Sequence, residues 1–181
     1  HVGHLRSTVI GDALARILTY KGHRVIGENH IGDWGTPFGM LIEHFLECEG
    51  VEVKDIDLKN FYKDARYKFD SSEEFANRSR ERVVKLQSKD PETIILWKEL
   101  VDISLLHFNE VYRMLDVLLN DDNLAGESIY EDLLPEVVDR LSNQDMIEES
   151  NGALVVFPEG WLNREKEPLP LIIRKGDGGY N

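Results

Sequence analysis

The chain has 181 residues, with 34 Asp and Glu against 21 Lys and Arg and a formal net charge of −13. That length can bury a real core and form one domain, and the acidic field argues against a free-standing nucleic-acid binder. No apolar run of about 18 residues suggests a membrane span, no secretory signal pattern opens the chain, and the lone Cys48 excludes an internal disulfide framework and fits a reducing compartment.

His1-Val2-Gly3-His4-Leu5-Arg6-Ser7 comes first, two histidines straddling a glycine. Leu5, Val9, Ala13 and Ile17 then recur at four-residue steps, with Ile10, Leu14 and Leu18 widening the stripe, which predicts an amphipathic helix with a buried face. Gly22 ends it, with Lys21 in the last turn. The histidines therefore stand at a helix N-terminus. Free backbone N–H groups and the positive end of the dipole suit an anion there, and Gly3 lets a ligand approach the backbone. A phosphate site fits this pattern; so do two polar residues that merely begin a helix. No metal site is read, because tetrahedral zinc needs ligands that the sequence does not pair with these.

Arg24 to Asn29 reads as a strand, and Glu28 to Met40 carries a Gly/Asp-rich loop. Helix, strand and loop in that rhythm point to a nucleotide-binding α/β fold, whose ligands lie beyond the carboxyl ends of strands. Such a fold calls for a strand feeding into the His1 helix, so the chain is read as a fragment. In Asp33-Trp34-Gly35, Trp34 walls a pocket or fills the core. Asp33, like Asn29, bonds a ligand or the histidines; alternatively it caps the next helix through Thr36. Pro37 suits a first helical turn, and that helix covers Phe38 to Glu47 and ends at Gly50. Phe61, Ala65 and Phe69 share a face, Ser71 to Glu74 offers a capping box, and Arg78, Arg80, Arg82 and Lys85 with Glu81 read as a solvated face. Asp90-Pro91 starts a long helix whose stripe runs through Trp97, Val101, Phe108, Val111 and Leu115, with His107 structural. Asp116 to Leu119 reads as a strand, Gly126-Glu127-Ser128 as a loop, and a helix runs on to Leu141. Ser150-Asn151-Gly152 turns a hairpin, and Pro168 to Arg174 is a last strand before a turn at Gly176 to Gly179.

HVGHLRST, Gly11-Asp12 and NHIGDWGTPFGML, followed by Gly126-Glu127-Ser128-Ile129-Tyr130 and Arg174-Lys175-Gly176-Asp177-Gly178-Gly179-Tyr180, resemble the catalytic domain of the arginyl-tRNA synthetases, class I aminoacyl-tRNA synthetases. The blocks stand in the family's order and span the chain. The resemblance implies an α/β fold, part of a Rossmann-like nucleotide-binding domain with a large helical segment between its strands. Residues 1–50 would hold the nucleotide-binding helix, strand and loop, 51–115 the helical segment, and 116–181 the return to the α/β core with a β-hairpin.

The implied activity is two-step: ATP activates L-arginine to arginyl-adenylate, and the arginyl group passes to tRNA(Arg). His1 and His4 would be catalytic. His1, Gly3, His4 and Ser7 would bind ATP, and His4, Asn29, Asp33 and Glu127 would bind arginine, with magnesium arriving on ATP. tRNA would be gripped mainly by regions outside this chain, which reconciles it with the acidic charge; a cytoplasmic location and inactivity of the fragment alone are also implied. The family usually carries glutamine at Pro37 and serine at Gly176. Two other readings share the opening motif: a smaller His-x-Gly-His nucleotidyltransferase, and a synthetase-derived binding module without catalysis.

Overall fold

The computed structural model describes residues 2–48, 50–176 and 178–180, so His1 and Asp177 lie outside the described residues. The chain divides into two compact units, residues 1–128 and 129–181. The first begins with α1 (Val2–Tyr20), which Gly22 ends at φ 84°. The helix is where its periodicity placed it, but the predicted burial is not found: Val9, Ile10, Leu14, Ile17 and Leu18 are 42 to 56% exposed. Periodicity marks a face suited to being covered; the cover itself has to come from other backbone.

The core of this unit is helical. In α2 (Thr36–Leu46) seven consecutive residues, Phe38 to His44, are buried. A helix covered on all sides must be central, and α3 (Leu58–Ser71), α4 (Glu73–Gln87) and α5 (Pro91–Leu115) surround it. α2 approaches α4 so closely at Gly39 that a Cβ there would lie 2.6 Å from Val83 Cγ2 and closer still to the Ser79 carbonyl oxygen. Phe61 and Ala65 of α3 are buried and Phe69 packs at the edge, as their shared face predicted. Local caps also fall where the sequence placed them. Asp90 accepts the Thr93 N–H (3.0 Å) ahead of Pro91, and Ser72 accepts the Phe75 N–H (3.3 Å). The residue three beyond the Ser72 cap is Phe75, so the reciprocal half of a capping box cannot form.

Two expectations about this helical segment are corrected. Arg78 and Arg82 do not belong to a solvated face: Arg82 Nε donates to Glu43 (2.6 Å) and its Nη1 to Thr93 Oγ1 (2.9 Å), while Arg78 pairs with Glu43, Glu47 and Glu74. Glu43 on the central helix draws both guanidiniums inward, and a cation follows a buried carboxylate because neither is tolerated there alone. His107 is exposed rather than packed.

His44, 7% exposed, lies against the Phe61 ring at 4.5 Å, and Lys68 Nζ stands 3.0 Å from its Nδ1. An ammonium can only donate, so Nδ1 accepts and the ring is neutral. Burial, and then the Lys68 charge, push the His44 pKa below its ordinary value of 6.5. The unfolded chain therefore binds a proton that the folded one refuses, so His44's contribution to stability is complete above about pH 6.5 and declines as pH falls through that value towards the folded pKa. Glu47, held below its ordinary pKa chiefly by its hydrogen bond to Lys68, adds a separate loss at lower pH. Amide-exchange stability of α2 between pH 7.5 and 5 should slope less steeply in a His44→Gln variant; an unchanged slope would remove His44 from the account.

The second unit opens with the remainder of a 3-10 helix (Glu127–Leu133), followed by α6 (Leu134–Ser142). An antiparallel sheet in the order β1-β2-β3 follows, formed by β1 (Glu148–Ser150), β2 (Ala153–Val156) and β3 (Leu171–Arg174). Asn151 (φ 51°) and Gly152 (φ 77°) take the two left-handed positions of the predicted hairpin turn. Both the hairpin and the last strand are where the sequence placed them.

Candidate functional site

Two loops of the first unit meet, and between them they hold three of the predicted site residues. Glu28 to Gly35 runs into α2, and Asn120 to Ser128 follows α5. Asn29 N–H donates to the Asn123 carbonyl (2.7 Å), Ala125 N–H to the Asn29 carbonyl (3.0 Å), and Glu127 N–H to the Ile31 carbonyl (3.0 Å). This alternation, two residues apart on each side, is a parallel ladder, registered as a bridge between Asn29 and Leu124. The expected strands at 24–29 and 116–119 are not formed: residues 24–28 and 116–119 have no strand pairing, Asn29 alone of the first stretch is bridged, and Asp116 takes φ 54°. Parallel pairing does occur, displaced downstream to where the two backbones lie side by side, and the helices α2 to α5 form the crossover.

α1 is fastened to the chain just upstream of the second loop. Asp12 accepts the Leu118 N–H (2.7 Å) and Arg16 Nε (2.7 Å), and Arg16 also donates to the Asp116 carbonyl. The Arg16 hydrogen bond, then that of Leu118, hold Asp12 below the usual carboxylate pKa. At the start of α1, Gly3 and His4 are exposed within the first turn. The His4 carbonyl accepts from Ser7 Oγ (3.0 Å) and Thr8 Oγ1 (2.9 Å), so the Ser7 proton is committed to the helix and its lone pairs are what remain for a ligand.

In the first loop, Asn29 Oδ1 accepts from Tyr112 Oη of α5 (3.1 Å), and His30 Nδ1 lies 3.0 Å from the Ala125 carbonyl. Asp33 is 4% exposed. Its Oδ1 accepts the Ser128 N–H (2.9 Å) and its Oδ2 the Ser128 hydroxyl (2.6 Å), while its carbonyl accepts the Trp97 indole N–H (2.7 Å). Trp34 meets the Trp97 ring edge-on at 5.2 Å and packs on the core. Asp33 does not cap α2; Gly35 occupies that N-cap, without a side-chain bond. Pro37 sits in the first turn of α2, as predicted. Glu127 begins the 3-10 helix with its side chain exposed, and a Cβ on Gly32 would lie 3.7 Å from its Oε1. The ladder thus gathers Asn29, Asp33 and Glu127, and Asp12 with Arg16 ties the helix bearing Gly3, His4 and Ser7 to the same stretch of chain.

Sequence reasoning missed Tyr112 and Ser128. Ser128 stood inside a quoted motif without a role, and Tyr112 lay beside the helix's apolar stripe with no local signal. Among the described residues no group of three or more His, Cys, Asp or Glu could hold a metal ion, and no helix is long and apolar enough to cross a membrane.

A helix that carries Gly3 and His4 in its first turn, fastened through Asp12 and Arg16 to the chain just ahead of two aligned loops, fits a class I synthetase catalytic domain. The family of class I tRNA synthetases (R), catalytic domain, matches residues 1–181, and the chain belongs to it. The arginine–tRNA ligase of Thermobifida fusca is 58% identical over 185 residues, covering 99% of this chain and 32% of its own length. That of Shewanella piezotolerans is 52% identical with the same coverages. The crystal structure of arginyl-tRNA synthetase from Plasmodium falciparum superposes with a TM-score of 0.76 at 31% identity, over 99% of this chain and 30% of that one. The Rossmann-like α/β class expected from the sequence agrees with that likeness. The chain spans about a third of the length of the curated relatives it matches.

Proposed function

We propose that the protein containing this chain is an arginine–tRNA ligase, and that residues 1–181 form part of its catalytic domain, partitioned as 1–50, 51–115 and 116–181. The whole-chain match to arginine–tRNA ligases carries the reading. The exposed Glu127 carboxylate, borne on a backbone held in the loop ladder, adds chemistry to it: a guanidinium is planar and permanently charged, and a carboxylate is its natural partner.

In this reading the arginine carboxylate attacks the α-phosphorus of ATP, pyrophosphate leaves, and the arginyl group of the adenylate passes to the terminal adenosine of tRNA. The protein supplies no nucleophile. It aligns the reactants and meets charge growing on the phosphate oxygens. His1 and His4 donate to phosphate, Gly3 and the backbone N–H groups of the α1 start cradle it, Ser7 lines it, and His4 also faces arginine. Asn29, Asp33 and Glu127 form the arginine end, with Glu127 supplying the contact. Magnesium arrives on the ATP phosphates. tRNA is held mainly by parts of the protein beyond these residues, and the protein works in the cytoplasm.

The test is arginine-dependent ATP–pyrophosphate exchange and tRNA charging by the full-length protein. His4→Ala should lower kcat by roughly 10²-fold or more, the usual cost of losing a transition-state donor. Glu127→Gln should raise the arginine KM by about tenfold or more while sparing the ATP KM, as expected when a charge-assisted bond is lost. The isolated 181 residues should be inactive in the same assay. A folded full-length protein that charges no tRNA with arginine would instead be a non-catalytic synthetase-derived module.

A further inference from the structure

We propose that Asp33 is a positioning residue for arginine recognition, acting through Ser128 on Glu127 rather than by touching the ligand; this rests on the ligase reading above. A carboxylate in an arginine site invites assignment as a direct partner of the guanidinium. Its surroundings here point elsewhere. Asp33 is 4% exposed, and both its oxygens are engaged by one residue, Ser128, through backbone N–H and hydroxyl. Glu127, the neighbour of Ser128, is exposed instead.

The geometry forms a chain of constraint. Trp97 of α5 holds the Asp33 backbone through its indole N–H. The Asp33 carboxylate then captures Ser128 at the second position of the 3-10 helix that Glu127 begins, which both satisfies an N–H left unpaired at a helix start and fixes where that start lies. The Ile31 carbonyl holds Glu127's own N–H. The backbone of Glu127 is thus pinned on both sides, by its own N–H and by that of Ser128, and its side chain leaves over Gly32. A guanidinium fork is recognised by direction as well as charge, and a carboxylate displaced by even an ångström loses much of that match. Gly126 reinforces the lock, since its Cα faces the Asp33 carboxylate with no room for a side chain.

The test compares Asp33→Ala, Asp33→Asn and Ser128→Ala in the full-length protein by pyrophosphate exchange, measuring arginine KM, ATP KM and kcat separately. Asp33→Ala should raise the arginine KM about tenfold or more and leave the ATP KM within about twofold. Asparagine can still accept the Ser128 N–H and can donate its amide to the Ser128 hydroxyl, so Asp33→Asn should recover most of the loss. Ser128→Ala keeps one of the two bonds and should fall between.

If Asp33→Asn is as damaging as Asp33→Ala while Ser128→Ala is silent, the Asp33 charge meets the ligand and the proposal is wrong. Equal rises in both KM values would reduce Asp33 to a fold-keeping role and also overturn it. Should Asp33→Ala fail to fold, the other two variants decide between the same outcomes. Wild-type protein without arginine-dependent exchange overturns the ligase reading and this inference together, whereas an active wild type with an unchanged Asp33→Ala overturns the inference alone.

Discussion

Replacing Gly126 by alanine should loosen the loop pair and, in the full-length protein, impair the arginine activation proposed for it, although the change adds a single methyl group. A Cβ at Gly126 would stand 2.6 Å from Asp33 Cγ and 2.7 Å from its Oδ1, closer still to Oδ2. Gly126 does not use the left-handed backbone region, so space alone excludes alanine. Asp33 cannot retreat easily, because the Trp97 indole holds its carbonyl and Ser128 its carboxylate. Either the Ser128 bonds break or the 123–127 backbone peels from the 29–31 backbone. Overpacking costs about 1–3 kcal/mol, and lost hydrogen bonds to a charged acceptor about 1.5–3 kcal/mol more. The effect should appear in the full-length protein as faster amide exchange at Ala125, Glu127 and Ser128, together with an arginine KM raised by at least about tenfold. Wild-type exchange rates at those amides would mean the loops open another way and the close approach is not a constraint.

The second large effect belongs to the helical core. Glu43 is 7% exposed and bonds Arg82 at 2.6 Å, with Arg78 at 3.4 Å. The two side chains of the first pair keep only 10% and 14% of their exposure, so water cannot replace a lost partner. Glu43→Ala should therefore destabilise α2 against α4 by about 3–5 kcal/mol, the usual result of stranding one buried charge. Replacing both partners, Glu43→Leu with Arg82→Met, should recover most of that, because apolar groups of similar volume need no compensation. Local opening energies from amide exchange in α2 and α4 would measure both variants; a double variant no better than the single would show the pair holding the helices by something beyond mutual neutralisation.

The features legible in the sequence were those decided within a few residues. Asp90-Pro91 predicts its helix start because a cap and a fixed φ act locally, and Asn151-Gly152 predicts its turn because both tolerate positive φ. Gly3 and His4 likewise fall in the first turn of α1, where the local periodicity begins, whereas the pairing of the Asn29–Asp33 loop with the Glu127 loop has no local signal. What failed needed a partner from elsewhere. Val25 and Ile26 have β-branched side chains in a stretch that reads as a strand, yet a strand exists only where a second backbone lies alongside, and here that happens at Asn29 to Ile31. Arg82 reads as a surface charge until Glu43, 39 residues earlier, turns out to face it. Asp33 offered three roles from its own neighbourhood, and Ser128, 95 residues on, gave it another.

That separation of 95 residues also bears on how the molecule is made. Contacts far apart in sequence must wait for loop-closure entropy to be overcome, whereas the helices between them form from near neighbours. Once α2 to α5 have packed, they bring the ends of the two loops together and shorten the effective loop to be closed. The ladder and the Asp33–Ser128 lock would then be among the last parts to form. At about 5–20 residues per second on the ribosome, Asp33 emerges roughly 5–20 s before Ser128, with the apolar face of α1 already made. The Asp33 contact is completed by a partner that is synthesised late, so nascent chains that have released α5 but not yet Ser128 should carry a folded helical core and an open Glu28–Gly35 loop.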